Sequence, residues 1–220
     1  MGTHVVRIWI PDRPGALGAV ASRIGAVRGD LIAIDILERG AGLAIDELVV
    51  TLPDDDLLPL LVREVGEVEG VAVEDVRAVV GGLPDPRLAA LETAALLAEE
   101  RTPEGVLDAL VGHAAAGFEA AWAAVVAAGG PVLHAAIGST PPPAWIAAFV
   151  AGIGARGDGP EDLAWAPLER AGFMLVLGRP GRPIRSRERL QLAALARIAD
   201  VRWAELSRLT SLRLHPTLAL

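Results

Sequence analysis

Ile10-Pro11-Asp12-Arg13-Pro14-Gly15-Ala16-Leu17-Gly18 is the stretch whose reading decides the fold, because the periodicity of the chain changes across it. Before it, His4–Ile10 alternates. Val6, Ile8 and Ile10 share one face and Val5, Arg7 and Trp9 the other, the period of a half-buried strand. After it, Leu17, Val20, Ile24 and Val27 recur at helical spacing, and Gly29 is the expected stop. Between the two, Pro11 and Pro14 fix their own φ, and Gly15 admits backbone shapes closed to other residues. The stretch is therefore a turn that feeds a strand into a helix.

Working outward, Leu31–Leu37 is rich in β-branched residues and predicts a second strand. Gly40-Ala41-Gly42 turns it into a third, Leu43–Leu52. Pro53 and Asp54-Asp55-Asp56 open a second helix, where acidic groups meet the positive end of the helix dipole. Leu57, Leu61, Val62 and Val65 face inward on it, Gly70 ends it, and Val71–Val79 gives a fourth strand. The order βαββαβ is the ferredoxin-like arrangement, one antiparallel sheet backed by two helices.

The run 81–86, Gly-Gly-Leu-Pro-Asp-Pro, continues neither a helix nor a strand and reads as a linker. It divides the chain into residues 1–80 and 87–213, with a tail at 214–220. The second part opens with two helices, Arg87–Arg101 and Pro103–Ala116, the latter capped by Thr102. Ala120–Ala127 and Val132–Ile137 read as a hairpin despite their alanines, and Ala144–Ile153 as a helix. Asp162–Arg170 and Phe173–Leu177 form another hairpin, and a long amphipathic helix runs over Ser186–Leu209. The fold class is α+β in both halves.

The turn at 12–18 also carries the candidate site. Backbone N–H groups in the first turn of a helix have no intrahelical partner and favour an anion. Gly15 lets a ligand approach the backbone, and Asp12 can accept from an ammonium group. A zwitterionic amino acid offers both charges. A capped helix start without ligand is the plain alternative.

Strand, Asp12-Arg13-Pro14-Gly15-Ala16-Leu17-Gly18, helix, and a strand from Asp30 together resemble the ACT domain, over residues 4–79. The resemblance implies a regulatory module that pairs with a second copy and binds a small ligand at the interface. The implied ligand-binding residues are Asp12, Pro14, Gly15, Ala16, Leu17 and Gly18, facing Asp30, Leu31 and Ile32. Many members carry Asn where this chain has Asp30, whose second carboxylate calls for an ammonium group or an Arg opposite it. The alternative is a ligand-free dimerisation scaffold. The second part more weakly resembles a GAF domain in its order of elements, through Ala164-Trp165-Ala166-Pro167-Leu168 and Arg185-Ser186-Arg187-Glu188-Arg189-Leu190. It is short for that family and lacks a bilin-attaching cysteine, which implies a degenerate, GAF-like scaffold.

Composition narrows the function classes. The chain has no cysteine and no lysine, which removes disulfides, thiolate nucleophiles, zinc-thiolate sites, Schiff bases and the lysine of a phosphate-binding loop. All-Arg basic usage with abundant Ala, Gly and Pro is typical of a GC-rich bacterial genome. A net charge of −8 argues against general nucleic-acid binding, although residues 179–213 hold 9 Arg against 3 acids. No apolar run is long enough to span a bilayer and no secretory signal is evident, so a cytoplasmic protein is expected, and the ACT resemblance implies that it is a homodimer. His4, His113, His134 and His215 are isolated, so neither a metal nor a cofactor is expected. Gly178-Arg179-Pro180-Gly181-Arg182-Pro183 reads as a structural loop, and Trp145, Trp165 and Trp203 as core unless they line a pocket. No nucleophile elbow or acid–base pair stands out, and the chain is read as a non-enzyme.

Overall fold

The computed structural model describes residues 2–79, 85–156 and 159–214. The chain divides into two compact units, Met1–Pro84 and Asp85–Leu220.

In the first unit the elements are β1 (Gly2–Pro11), α1 (Ala16–Ala26), β2 (Asp30–Gly40), β3 (Leu43–Leu52), a 3-10 turn (Asp55–Leu57), α2 (Leu58–Gly66) and β4 (Ala72–Ala78). The sheet order is β2-β3-β1-β4, with every neighbouring pair antiparallel. This is the ferredoxin-like topology. Val6, Ile8 and Ile10 of β1 and Leu48 and Val50 of β3 lie under Val20 and Ile24 of α1 and Leu61 and Val65 of α2. Each such side chain contributes roughly 1.5–3 kcal/mol by leaving water, so this one face supplies the core that fixes the register.

Three local expectations are corrected. β1 is not half-buried: Val5 and Arg7, on the side away from the helices, are buried as well. Arg7 is 1% exposed and donates from Nε and Nη2 to Glu47 Oε1 at 3.0 and 2.8 Å. Glu47 also accepts from Arg77 Nη1 at 2.9 Å, and Trp9 Nε1 donates to Glu74 at 3.0 Å. The hydrogen bonds accepted by Glu47, together with the nearby Glu74 carboxylate, are what let an arginine sit there.

The second correction concerns the end of α1. Gly29 is not its left-handed residue; Arg28 is, at φ 62°. Arg28 N–H bonds Gly25 O and Gly29 N–H bonds Ile24 O, both at 2.9 Å, which is a Schellman stop. Gly29 is needed for space, since a Cβ there would stand 3.0 Å from Ile24 Cγ2 and 3.2 Å from Val50 Cγ1. Third, α2 ends at Gly66 rather than Gly70, because Val68 and Val71 N–H turn back onto Val65 and Val68 carbonyls.

The second unit contains α3 (Pro86–Glu99), α4 (Pro103–Gly117), β5 (Trp122–Ala127), β6 (Leu133–Gly138), α5 (Pro143–Arg156), β7 (Leu163–Leu168), β8 (Phe173–Gly178) and α6 (Ser186–Leu214). Asp85 caps α3 by accepting from Arg87 and Leu88 N–H, and Pro86 occupies its first turn. Those two residues therefore belong to the helix rather than to a linker; 81–84 lie outside the described residues. The helix at the other end is longer than expected, and of the tail only Leu214 is described, inside it.

The antiparallel sheet has order β6-β5-β8-β7. Its inner strands β5 and β8 are apolar because both of their faces are covered, whereas the edge strand β6 exposes His134, Ala136 and Ile137. Ala123, Val125, Leu175 and Leu177 join the core with α3, α4 and α6. Trp122, Ala124, Val126 and Val176 pack with Ile146 and Val150 of α5. The alanines of β5 are thus the small residues of a doubly covered central strand.

Candidate functional site

The first unit presents the most developed candidate. β1 ends at Pro11, Asp12 N–H bonds Gly42 O at 2.9 Å, and Arg13 N–H bonds Pro11 O at 2.8 Å. These bonds pin the turn to the β2–β3 hairpin. Gly15 then takes φ 86° as the N-cap residue of α1, with no side-chain cap and no acidic residue in the first turn. The helical ladder begins with Ala19 N–H to Gly15 O at 3.0 Å, so the N–H groups of Leu17 and Gly18 precede it. A Cβ added at Gly15 or Gly18 would meet nothing within 4 Å, which leaves the backbone open to approach. Pro14 is exposed, Ala16 is buried in the core and Leu17 is half-buried.

Charged groups stand around this helix start. Arg39 Nη2 lies 3.9 Å from Asp12 Oδ1. Asp46 of β3 pairs across to Ile8 and Ile36, on the same face of the strand as Ala44 and Leu48. It is 4% exposed, and its Oδ1 has no hydrogen-bond partner among the described residues. Burial raises its pKa above the usual carboxylate value; Arg39 opposes the rise, and the Asp12 and Asp35 carboxylates add to it. A buried carboxylate oxygen left without a hydrogen bond is costly. Sequence reading passed over Asp46, and the only available signal was an acid in the strand pattern Ala44, Asp46, Leu48, Val50, where its neighbours are apolar.

Residues 12–18 and 30–32 do not meet within one chain. Asp12 stands beside the hairpin at the end of β2, whereas Asp30 begins that strand, opposite Thr51. Nine strand residues separate Asp30 from Arg39, about 30 Å. Asp30 and Ile32 are exposed and Leu31 is partly buried against the core. Ile32 sits at a bulge in the register, and Ile34 and Ile36 are also exposed, all on an edge strand.

In the second unit, Arg179 is turned inward. It donates to the carbonyls of Phe118, Arg182 and Pro183 and pairs with both Glu188 oxygens at 2.7 and 3.0 Å. The 178–183 segment is therefore held as a structural loop around its own arginine. The face under α5 is filled by Trp122, Phe149 and Trp165, while Trp145 stacks on Phe149 at 5.6 Å. Trp203 lines an open groove of about 550 Å³ with Arg170, Ser207 and Arg208, and Asp200 holds Arg170 through its N–H at 3.1 Å.

His4 is buried with Nε2 3.1 Å from Asp55, and His134 stacks on Phe173 at 3.9 Å. His215 lies outside the described residues. Among the described residues no cluster of three His, Asp or Glu could hold a metal, and no helix is long and apolar enough to cross a membrane.

No protein-family model matches the chain, and no curated protein matches it. Among solved structures it is similar to the ACT domain from a GTP pyrophosphokinase of Chlorobium tepidum, at 19% identity over 36% of this chain and 97% of that one, with a TM-score of 0.29. An uncharacterized protein of Thermotoga maritima aligns at 22% identity over 36% and 98%, TM-score 0.29. An unknown protein from Galdieria sulphuraria aligns at 14% identity over 93% and 92%, TM-score 0.34. The ferredoxin-like assignment of the first unit rests on its own strand order.

Proposed function

We propose that the first unit is a regulatory module that binds an amino acid or a similar small molecule, and that the chain is not itself an enzyme. The observation that carries this reading is the open N-terminus of α1, where Gly15 caps without a side chain and the backbone at Gly15 and Gly18 is unobstructed. A ligand carboxylate fits those N–H groups. Asp12 and Asp46 offer a ligand ammonium group its counter-charge, and Arg39 stands 3.9 Å from Asp12.

The separation of the two residue sets within one chain is resolved by a homodimer. Two copies pairing antiparallel along the β2 edge bring one copy's Asp30–Ile32 toward the other's Asp12–Gly18. The exposed Ile32, Ile34 and Ile36 on that edge support such a pairing. The same isoleucines favour a second reading, a dimerisation scaffold that holds no ligand. The second unit, read as a degenerate GAF-like scaffold, would transmit the change. That reading is supported by its two antiparallel hairpins flanked by helices and by its filled α5 face.

A thermal-shift screen of the standard amino acids tests the proposal. A binding ligand at a hundredfold excess over its Kd stabilises the fold by about 2.7 kcal/mol. If a folded, dimeric protein shows no shift with any of them, the ligand reading fails and the scaffold stands.

A further inference from the structure

We infer that the outward faces of α3 and α6 form an isologous interface with a second copy of this chain, α3 of one copy lying against α6 of the other. This interface belongs to the second unit and does not depend on the ligand reading of the first.

α3 buries one large side chain, Leu97. On the opposite side of the helix Leu88 is 52% and Leu91 70% exposed, with Ala95 also exposed between helical turns. α6 repeats the pattern. It buries Leu192, Ala196, Ala199 and Leu206, while its other side exposes Leu190 (73%), Ala194, Ile198, Val201 (48%) and Leu209. A surface helix normally turns polar residues outward. Here two neighbouring helices, joined where Arg202 Nε and Nη2 donate to Glu100 O at 3.1 and 2.6 Å, both turn large aliphatic side chains outward. Large apolar side chains exposed along two neighbouring helices mark an interaction site.

The charges name the occupant. The outward stripe of α3 carries the exposed Glu92 and Glu99, and that of α6 the exposed Arg197 and Arg208, the exposed Glu205 beside them being paired with Arg202 Nη1 of the same helix at 2.8 Å. One chain thus presents an acidic apolar stripe beside a basic apolar stripe. A two-fold axis sets each against its complement in the second copy, satisfying both at once. Pairing α3 with α3, or α6 with α6, would oppose like charges.

The chain has no cysteine, so single cysteines report the pairing directly. A tagged full-length chain carrying Ala95→Cys is mixed with an untagged chain carrying Ala194→Cys and treated with a flexible bis-maleimide. The expected product is the mixed covalent dimer, in about tenfold excess over dimers of the Ala95→Cys chain alone, a difference of ~1.4 kcal/mol. Adding Glu92→Arg and Glu99→Arg to the first chain is expected to suppress the mixed product about tenfold. Adding Arg197→Glu and Arg208→Glu to the second chain as well is expected to restore it. Circular dichroism confirms that each variant is folded. A mixed product no more abundant than the self-linked one, or one indifferent to the charge reversals, overturns the inference.

Discussion

Asp46 and Glu47 are consecutive residues of β3 whose carboxyls point to opposite faces of the sheet and are shifted in opposite directions. Asp46 lies on the helix-bearing face, where burial raises its pKa. Glu47 lies on the other. There burial also acts upward but is overcome by hydrogen bonds and charge from Arg77 and Arg7, so its pKa falls below 4.5. One strand thus holds an ion network that stabilises the fold beside a carboxylate that burdens it.

For Asp46, the raised folded value means that its contribution to stability is full below the unfolded value of 3.8 and is lost as the pH rises through the folded pKa. Above the folded pKa its charge is buried with Oδ1 unbonded. Asp46→Asn is therefore expected to be more stable than the parent at pH 7, with the gain shrinking as the pH is lowered toward 3.8. Urea denaturation across that range checks it. A variant less stable at neutral pH would mean that the Asp46 charge is satisfied in the fold.

Glu47 behaves in the opposite sense. Its contribution is full above 4.5 and is lost as the pH falls through the lowered folded value. Glu47→Gln leaves buried Arg7 without its short charged partner and should cost about 3 kcal/mol at pH 7. The difference from the parent should narrow in acid. Denaturation curves that differ by the same amount at both ends of the range would contradict this assignment.

Gly15→Ala places a Cβ on a residue at φ 86° while meeting no neighbouring atom. The cost is therefore backbone strain alone, about 1 kcal/mol. Gly15→Asn, whose side chain tolerates the left-handed region, should lose less. Thermal denaturation of the two variants gives the order directly.

Much of the first unit was legible because its periods are clean. Val6, Ile8 and Ile10 alternate, Val20, Ile24 and Val27 step along a helix, and Pro14-Gly15 marks the change between them. What escaped was set by tertiary partners. Arg7 reads as a solvent-facing residue until Glu47, 40 positions away, is seen against it. Arg28 takes the left-handed position while Gly29 is kept by tertiary crowding against Val50, a contact 21 residues away that no local pattern announces. Asp46 was hidden for the same reason: nothing local says that an acid at a core-facing strand position will leave one oxygen unbonded. In the second unit, Ala123 and Ala124 look weak as strand residues until helices on both faces explain their size.

The most direct test of the ligand site is a ¹⁵N–¹H titration of the full chain with the amino acid that gives the largest thermal shift. The expected result is saturable displacement of the Leu17 and Gly18 amide resonances, with the ligand amine coupled to the titration of Asp46. Saturable binding that leaves those two amides unmoved would contradict it, as would a titration in which no amino acid moves any resonance.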